Sequence, residues 1–564
     1  MRKLFELVPL EVRVLYRQFL LRVIDLEALS IEADIPRFLG QFAGVLIMLS
    51  IIHAVRICLF FGAEPWQTEQ HLIATMMLIA GLIIVVSWDA TFPDRRDVMV
   101  LSPLPIAPHT ILIAKVGTSC AILGLAILAL NCFSGLVCPL FLGAQHGTIF
   151  GLLQPLAAYW FTMVAAVAFL YCSVLTLQGF TALLLTRRLF LRLSAVLQLT
   201  AFGLFLGVYF MQGMIANSAA MAAPENRAIL DWSPSFWFFA LFNQLNGSLP
   251  AELAWLARRA WIGLGIVIFG AAASLLLCYM RTMKKTVEEP DLVPGAHGLH
   301  LTPRFGSLLQ TAIVLFSFRS LTRSRQHRVI FAFYLAVVFA LGISLLRDEM
   351  PAHAPIPVSP DLLISTLMMM SFAVFGLRSV IQLPISLTAN WVLRTTQLSS
   401  PVKYIDATRR SLLVLSVVPA WVVSVFLSIP FRPLGYVAAH LAVLALYGWV
   451  LAELGLIGFY KVPFTCSYLP GKSNIQYVFW GVLVVLLVVV TAIAELEQRA
   501  FGDPIRLSSL LLGFAALAVG LLAFNRRQAK SAVLNFEELP EELITTLGLI
   551  SPLPEKINTS SSAS

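Results

Sequence analysis

Charged residues are scarce in this chain: Asp, Glu, Lys and Arg make up 12% of its 564 residues, whereas 59% are hydrophobic. A soluble globular domain carries about 25% charged residues. The deficit excludes a disordered protein, a coiled coil and an ordinary soluble enzyme. A mean hydropathy of +0.85 instead indicates a membrane protein with several spans.

Sequence signatures of catalysis are absent too. The seven Cys residues show no CxxC spacing and mostly lie in apolar runs, which predicts packing rather than disulfides. His297 and His300 have a spacing that could place two metal ligands together, but no Cys lies nearby to complete a zinc set. There is no HExxH, no GxSxG and no paired-Asp transferase motif. We therefore expect no enzyme activity, no metal and no cofactor in this chain.

A nucleotide-binding loop is missing as well. A P-loop needs GxxxxGK[ST], because glycine amides must wrap the phosphates. The segment 470–473, Pro-Gly-Lys-Ser, supplies the second half of that motif, but Cys466 stands where the first Gly should be. Any ATP and Mg are therefore expected on a separate partner subunit.

Long apolar runs are what the chain has in abundance. A run of about 18 residues can cross a hydrocarbon core of about 30 Å as a helix. A barrel strand would need alternating polarity, which these runs lack. The runs predict twelve transmembrane helices, at 38–61, 70–92, 112–138, 156–185, 193–213, 260–280, 329–346, 361–383, 411–431, 434–459, 475–494 and 507–525.

The distribution of Lys and Arg predicts the orientation. With a cytoplasmic N-terminus, the inner segments hold 29 of the 39 Lys and Arg residues, the outer loops hold seven, and three fall within spans. Such a bias marks the cytoplasmic side, and it accounts for the net charge of +9 without nucleic acid. We expect a multi-pass protein of the cytoplasmic (inner) membrane with both termini cytoplasmic.

The two halves of the chain repeat. Arg37 precedes the first span as His327 precedes the seventh, and His71 matches Asp361 at the same offset of 290 residues. Six spans per half give both halves one orientation, which is a parallel repeat. The predicted units are a first six-span half at 1–282, a cytoplasmic linker at 283–305, a second six-span half at 306–525 and a cytoplasmic tail at 526–564.

Each half opens with a segment that mixes apolar residues and arginines, at 8–31 and 306–328. Both are typical of amphipathic helices lying on the inner membrane face, although an ordinary basic flank is the alternative. The predicted fold class is therefore all-α: a polytopic membrane protein with about twelve transmembrane helices in two parallel six-helix bundles and amphipathic interfacial helices.

The segment after the second span combines a charged cluster with an apolar, proline-punctuated turn. Its candidate residues are Asp94, Arg95, Arg96, Asp97, Leu101, Leu104 and Pro105, followed by Lys115 at the next span. Residues 389–413 match it loosely in the second half, with Arg394, Pro401, Lys403, Tyr404, Asp406 and Arg409. Mixed charge beside exposed apolar residues suits a short cytoplasmic helix presented to a partner, although a loop that only sets topology is the alternative.

This pattern resembles the transmembrane subunit of type-2 ABC exporters, the ABC-2 permease class, in two fused copies. The resemblance implies that an amphipathic helix precedes a six-span bundle and that the loop between spans two and three carries a coupling helix, which docks into the ATPase. It also implies short re-entrant helices between spans five and six. The loop 214–259, with WSPSFWFFALFNQL at 232–245, agrees, whereas the loop 495–506 in the second half is too short.

The resemblance implies the permease subunit of an ATP-driven exporter. Its partners would be a cytoplasmic ABC ATPase dimer, membrane lipid and an exported substrate of unspecified chemistry. The residues proposed above would couple the two chains. One alternative is a secondary transporter of the major facilitator type, whose corresponding loop has glycines that this chain lacks around 94–96. The other is a non-transporting membrane scaffold built on a permease fold.

Few ionisable residues fall within the predicted spans, where burial of charge is costly. His53 and Arg56 lie in the outer third of the first span, and Asp89 and Glu453 lie near inner ends from which they are expected to reach the headgroups. No span carries two buried charges near its centre, which argues against a proton-coupled carrier.

The orientation can be tested by cysteine labelling in a variant without the seven native Cys residues. We expect Glu225→Cys to react with an impermeant maleimide on intact cells, because it lies in the long outer loop. Pro290→Cys, in the linker, should react only after permeabilisation. The reverse pattern would overturn the orientation and the coupling assignment together.

Overall fold

The computed structural model describes residues 35–60, 65–88, 104–143, 149–212, 226–288, 303–346, 356–384, 400–465 and 475–534, with residues 12, 14–16, 19, 101, 221 and 223. These residues are almost entirely helical, which confirms the all-α prediction. The exception among them is one parallel pair of two-residue strands, β1 (Ile356–Pro357) and β2 (Phe431–Arg432).

The first half contains nine helices in its described ranges. They are α1 (Ile35–Phe60), α2 (Pro65–Val86), α3 (Pro108–Leu130), α4 (Ser134–Gly143), α5 (Ile149–Leu184), α6 (Arg187–Gln212), α7 (Arg227–Trp232), α8 (Pro234–Asn246) and α9 (Ala254–Glu288). A 3-10 turn at Ala251–Leu253 leads into α9.

The second half contains eight helices in its described ranges. They are α10 (Leu308–Arg323), α11 (Arg325–Leu346), α12 (Pro360–Val380), α13 (Pro401–Leu412), α14 (Val418–Ser428), α15 (Leu434–Gly455), α16 (Ile475–Ala500) and α17 (Pro504–Ser531). A π-helical segment, Leu413–Val417, joins α13 to α14 without a break.

Every predicted span coincides with a helix, and the described residues include nine helical stretches long and apolar enough to cross a membrane. This confirms a polytopic membrane protein. The remaining predicted spans fall on α6, α11 and α16, so the count of twelve stays a prediction. The third predicted span, 112–138, is divided, because a turn at Asn131–Phe133 separates α3 from α4. There the Asn131 amide donates to the Ile127 carbonyl and accepts from the Tyr159 hydroxyl.

The same helix pairings occur in both halves. In the first half α2 packs on α5 and α6, and α5 packs on α9. In the second half α12 packs on α15 and α16, and α15 packs on α17. These are pairings of equivalent predicted spans, as a parallel repeat requires, although the domain boundaries stay a prediction. The halves meet where α6 packs on α11, with the rings of Phe202 and Phe333 5.4 Å apart.

The halves differ in the connection before their last span. In the first half the long loop contains α7 and α8, as predicted, and α8 packs against α2, α5 and α9. Four phenylalanines of α8 are fully buried: Phe236, Phe238, Phe239 and Phe242. In the second half a turn at residues 501–503 joins α16 directly to α17. An aromatic core segment therefore distinguishes the first half.

Small residues allow α5 and α9 to approach closely. A Cβ on Gly179 would collide with the Ser274 side chain, and one on Gly270 would lie 2.7 Å from Cγ2 of Thr176. The hydroxyl of Ser274 donates across the contact to the Leu175 carbonyl at 3.2 Å. Without a hydrophobic force between helices in lipid, such close packing is a main source of helix association.

We expect Gly179→Leu to destabilise the protein by about 1–3 kcal/mol or more, because the added side chain overpacks this contact. The measurement is thermal unfolding of the detergent-purified protein. Gly265→Leu, on the face of α9 where no atom lies within 4 Å, is the control and should leave unfolding unchanged. Equal stability of the two variants would contradict the packing.

Candidate functional site

The described second half has two ends with different chemistry. The basic end comprises residues 319–328, 381–384, 400–410, 455–465 and 526–534, and it is rich in Arg and Lys. The far end, at the other end of the same helices, comprises residues 356–366, 429–440 and 497–506. The predicted coupling residues of the second half belong to the basic end.

Helix α13 stands at the basic end. Ser400 precedes it in an extended conformation and Pro401 occupies its first turn, where a missing N–H costs nothing. One face packs against α10, where Tyr404 and Ala407 contact Ile313 and Leu309. Helix α10 itself begins with a capping box formed by Ser307 and Gln310. The predicted interfacial segment of the second half is therefore a helix, and it supports the predicted coupling helix directly.

A buried ion pair joins α13 to the bundle. Arg409 donates from Nε to Oε1 of Glu453 at 2.6 Å, and Glu453 is 0% exposed. Arg409 also pairs with Asp406, one turn earlier on α13. The other oxygen of Glu453 accepts from the Asn525 amide at 2.9 Å, and Arg526 lies 3.4 Å from Asp406. Side chains of α13, α15 and α17 thus form one network, which we call the basic-end network.

His327 fixes the start of α11 to the same end. Its Nε2 lies 3.1 Å from the Leu383 carbonyl, and its Nδ1 contacts the Ser324 hydroxyl. Because a carbonyl only accepts, Nε2 carries the proton and Ser324 donates to Nδ1. Burial lowers the pKa of His327 below its ordinary value, which favours this neutral ring.

The predicted coupling residues differ in where the structure places them. Asp94, Arg95, Arg96, Asp97 and Arg394 lie outside the described residues. Leu104, Pro105 and Lys403 are exposed, as expected of a docking surface, while Pro401 and Asp406 are half-buried. Leu101 packs beside Leu15, Phe19 and Ile111, so it supports the N-terminal segment.

Two predicted coupling residues are not accessible. Tyr404 was expected to offer an apolar side chain to a partner. Instead it is buried against Ile313 of α10, within this chain. Arg409 was expected to present its charge to the cytoplasm, but it is buried and neutralised by Glu453 and Asp406. The expectation that both project outward is wrong, because neighbouring helices of the same bundle bury them.

Glu453 also differs from its predicted role. It was expected to reach the headgroups from the inner end of its span. Instead it is enclosed by Arg409, Asn525 and Trp449, whose indole donates to Oε1 at 3.3 Å. Lys115 is similarly buried, with its ammonium 5.2 Å from the centre of the Phe19 ring. Both charges serve the packing between helices.

A second cluster of ionisable residues lies at the far end, and the sequence analysis did not predict it. His440 of α15 contacts Oε1 of Glu497 on α16 at 2.9 Å, and its other nitrogen lies 2.8 Å from the Thr366 hydroxyl. His440 and Glu497 are both fully buried, and Oε2 of Glu497 has no hydrogen-bond partner in the described structure. The His440–Glu497 pair could not be predicted from single spans, because its two residues belong to different spans. The sequence signal that could have indicated this cluster is His440, an ionisable residue within an apolar run.

The far end of the first half, where α1 ends and α2 begins, carries polar residues of its own. Glu69 is buried and accepts from the Asn243 amide at 3.1 Å, which ties α2 to α8. Gln70 donates to Gln212 of α6 at 2.8 Å. His53 is buried, with its ring centre 5.4 Å from that of His71. His53, which was predicted to lie in the outer third of its span, thus belongs to a polar cluster between helices.

Comparison with known proteins yields no match among family models, curated proteins or solved structures. The side-chain geometry of the two ends is therefore the basis for a proposed function.

We expect Arg409→Met to destabilise the protein by about 3–5 kcal/mol, because it leaves Glu453 buried without its cation. The double variant Arg409→Met/Glu453→Met should recover part of that loss, since neither charge remains. Thermal unfolding in detergent measures both. Arg410→Met, which changes the adjacent exposed arginine, is the matched control and should unfold like the unaltered protein. A single variant as stable as that control would contradict the buried pair.

Proposed function

We propose that this chain is the membrane permease subunit of an ATP-driven exporter. A separate cytoplasmic ATPase dimer, which binds ATP and Mg, would drive it. The observation that carries the proposal is the placement of α13, a short amphipathic helix at the basic end that is continuous with one span. Its buried Arg409 pairs with Glu453 of α15, and Glu453 in turn accepts from Asn525 of α17.

This placement suits the transmission of force. The stretch Pro401–Ser428 is helical throughout, so a push on α13 acts along the span that follows it. The Arg409–Glu453 pair makes α15 and α17 follow, because separating a buried ion pair leaves a charge unpaired at a cost of about 3–5 kcal/mol. Rigid-body movement of packed helices is a common way to switch access to a binding site.

The outward face of α13 offers a partner charge, and a turn in the first half offers apolar surface. Lys403 and Arg410 are exposed on it. In the first half Leu104 and Pro105 are exposed, and they follow the charged cluster 94–97 in the sequence. Charge steers a partner, and apolar side chains fill its grooves. The basic end would face the cytoplasm of an inner-membrane protein, with both termini on that side.

One observation favours a second function, a proton-coupled secondary transporter of the kind with two parallel six-span halves. His440, Glu497 and Thr366 form a buried cluster that could hold or release a proton within the bundle. In that case Glu497→Gln would abolish transport in the absence of any ATPase. A non-transporting scaffold would show neither ATPase binding nor a transport defect.

The exporter proposal predicts an ATPase that copurifies with the tagged chain from its native membrane. Lys403→Glu/Arg410→Glu should weaken that association by about 2 kcal/mol or more, roughly thirtyfold, because both charges are reversed at the docking face. The same result is expected for Arg95→Glu/Arg96→Glu. The measurement is the ATPase recovered per permease and the ATP hydrolysis that it supports.

The matched control is Arg499→Glu, an exposed charge reversal at the far end, which should leave ATPase recovery unchanged. Two results would overturn the proposal. The unaltered chain could copurify with no ATPase, or both double reversals could leave ATPase recovery and hydrolysis intact.

A further inference from the structure

A cavity of about 290 Å³ lies between α1, α2 and α6 at the far end of the first half. Its polar lining consists of Arg56, Gln67, Gln70, His71, Tyr209 and Gln212. A molecule of liquid water occupies about 30 Å³, so the space is larger than hydration of one side chain requires. It is near the lower limit of about 300 Å³ for small-molecule pockets. The cavity therefore suits a head group rather than a whole lipid.

Arg56 is the charge in this cavity. It lies four residues before the end of α1, about 6 Å along the helix at 1.5 Å per residue. A guanidinium stays protonated, and it is costly within a membrane unless it has a partner. No acidic side chain pairs with Arg56 in the part of the chain that the structure describes. The nearby carboxylate on α2, Glu69, accepts from Asn243 and is not among the residues that line this cavity.

The other groups in the cavity are held in place by their neighbours. Gln70 donates to the carbonyl oxygen of Gln212, which leaves the Gln212 amide nitrogen free to donate. The Tyr209 hydroxyl is 3.2 Å from Thr75. A guanidinium with an amide donor beside it is an arrangement that binds phosphate or carboxylate oxygens.

The outer face of α1 next to Arg56 is apolar. Its neighbours Val55 and Leu59 are exposed, as expected of side chains that contact lipid. Phe210 and Ala74 complete the wall of the cavity. An acyl chain could lie along this face while its anionic group reaches Arg56.

We propose that this cavity binds the anionic head group, a phosphate or carboxylate, of a single-chain or larger amphiphile. Within the proposed function, on which this part rests, such an amphiphile is the class of substrate. Binding itself depends only on the cavity and requires no ATPase.

The test uses the purified full chain in a non-ionic detergent, without any ATPase, and native mass spectrometry to count bound molecules. The probes are oleoyl lysophosphatidic acid, oleate, the uncharged monooleoylglycerol and inorganic phosphate. We expect at least one of the two anionic amphiphiles to bind with a stoichiometry of one. Arg56→Met should weaken that binding at least tenfold, and Arg258→Met, an exposed arginine on α9, should not.

A second variant keeps the test informative if Arg56→Met does not fold. Ala74→Leu fills the cavity without changing its charge, and it should also weaken binding at least tenfold. Equal binding of the anionic amphiphiles to the unaltered chain and to a folded cavity variant would overturn the proposal. Equally strong competition by the uncharged monooleoylglycerol against the anionic amphiphile would also overturn it. So would full competition by inorganic phosphate, because it would mark a site for free anions. Because no ATPase is present, failure of the exporter proposal would leave this result unchanged.

Discussion

The burial of charge between helices is the constraint on which the described structure depends. Arg409 and Glu453 are stable inside the bundle because each neutralises the other and because Asp406, Asn525 and Trp449 bond to further polar atoms of the pair. That requirement fixes how α13 sits on α15 and α17. A helix that could have been a loose appendage is instead part of the bundle, as the proposed transmission of force requires.

The two halves share their helix pairings but not their polar chemistry. In the first half α8 brings four buried phenylalanines and Asn243 into the bundle, and the far end keeps a cavity with the cation Arg56. In the second half a short turn replaces that insertion, and His440 and Glu497 at the far end are paired with each other. The asymmetry favours a division of roles, with recognition in the first half and a closed, internally paired structure in the second.

The exporter proposal and the proposed head-group site concern different ends of the bundle, and packed helices connect the two. The basic-end network joins the surface of α13 to the spans, whereas the Arg56 cavity lies where α1 meets α2. The halves are in contact through α6 and α11, and α6 also supplies Tyr209 and Gln212 to the cavity. Movement of the second half therefore has a direct structural route to the cavity through one helix, as an access change driven from the basic end requires.

The sequence by itself determined the helical fold and the approximate position of the helix at every predicted span, because apolar runs and breaks between them are local properties of the chain. The helices within 214–259 were expected only from the family resemblance. It also indicated a helix after Ser400, since proline and the amphipathic pattern are local too. Only the tertiary structure decided which charges are accessible. Tyr404, Arg409 and Glu453 are buried by residues 44 or more positions away or on other helices, and His440 meets Glu497 across two spans. Such pairings depend on helix packing and rotation, which no single stretch of sequence encodes.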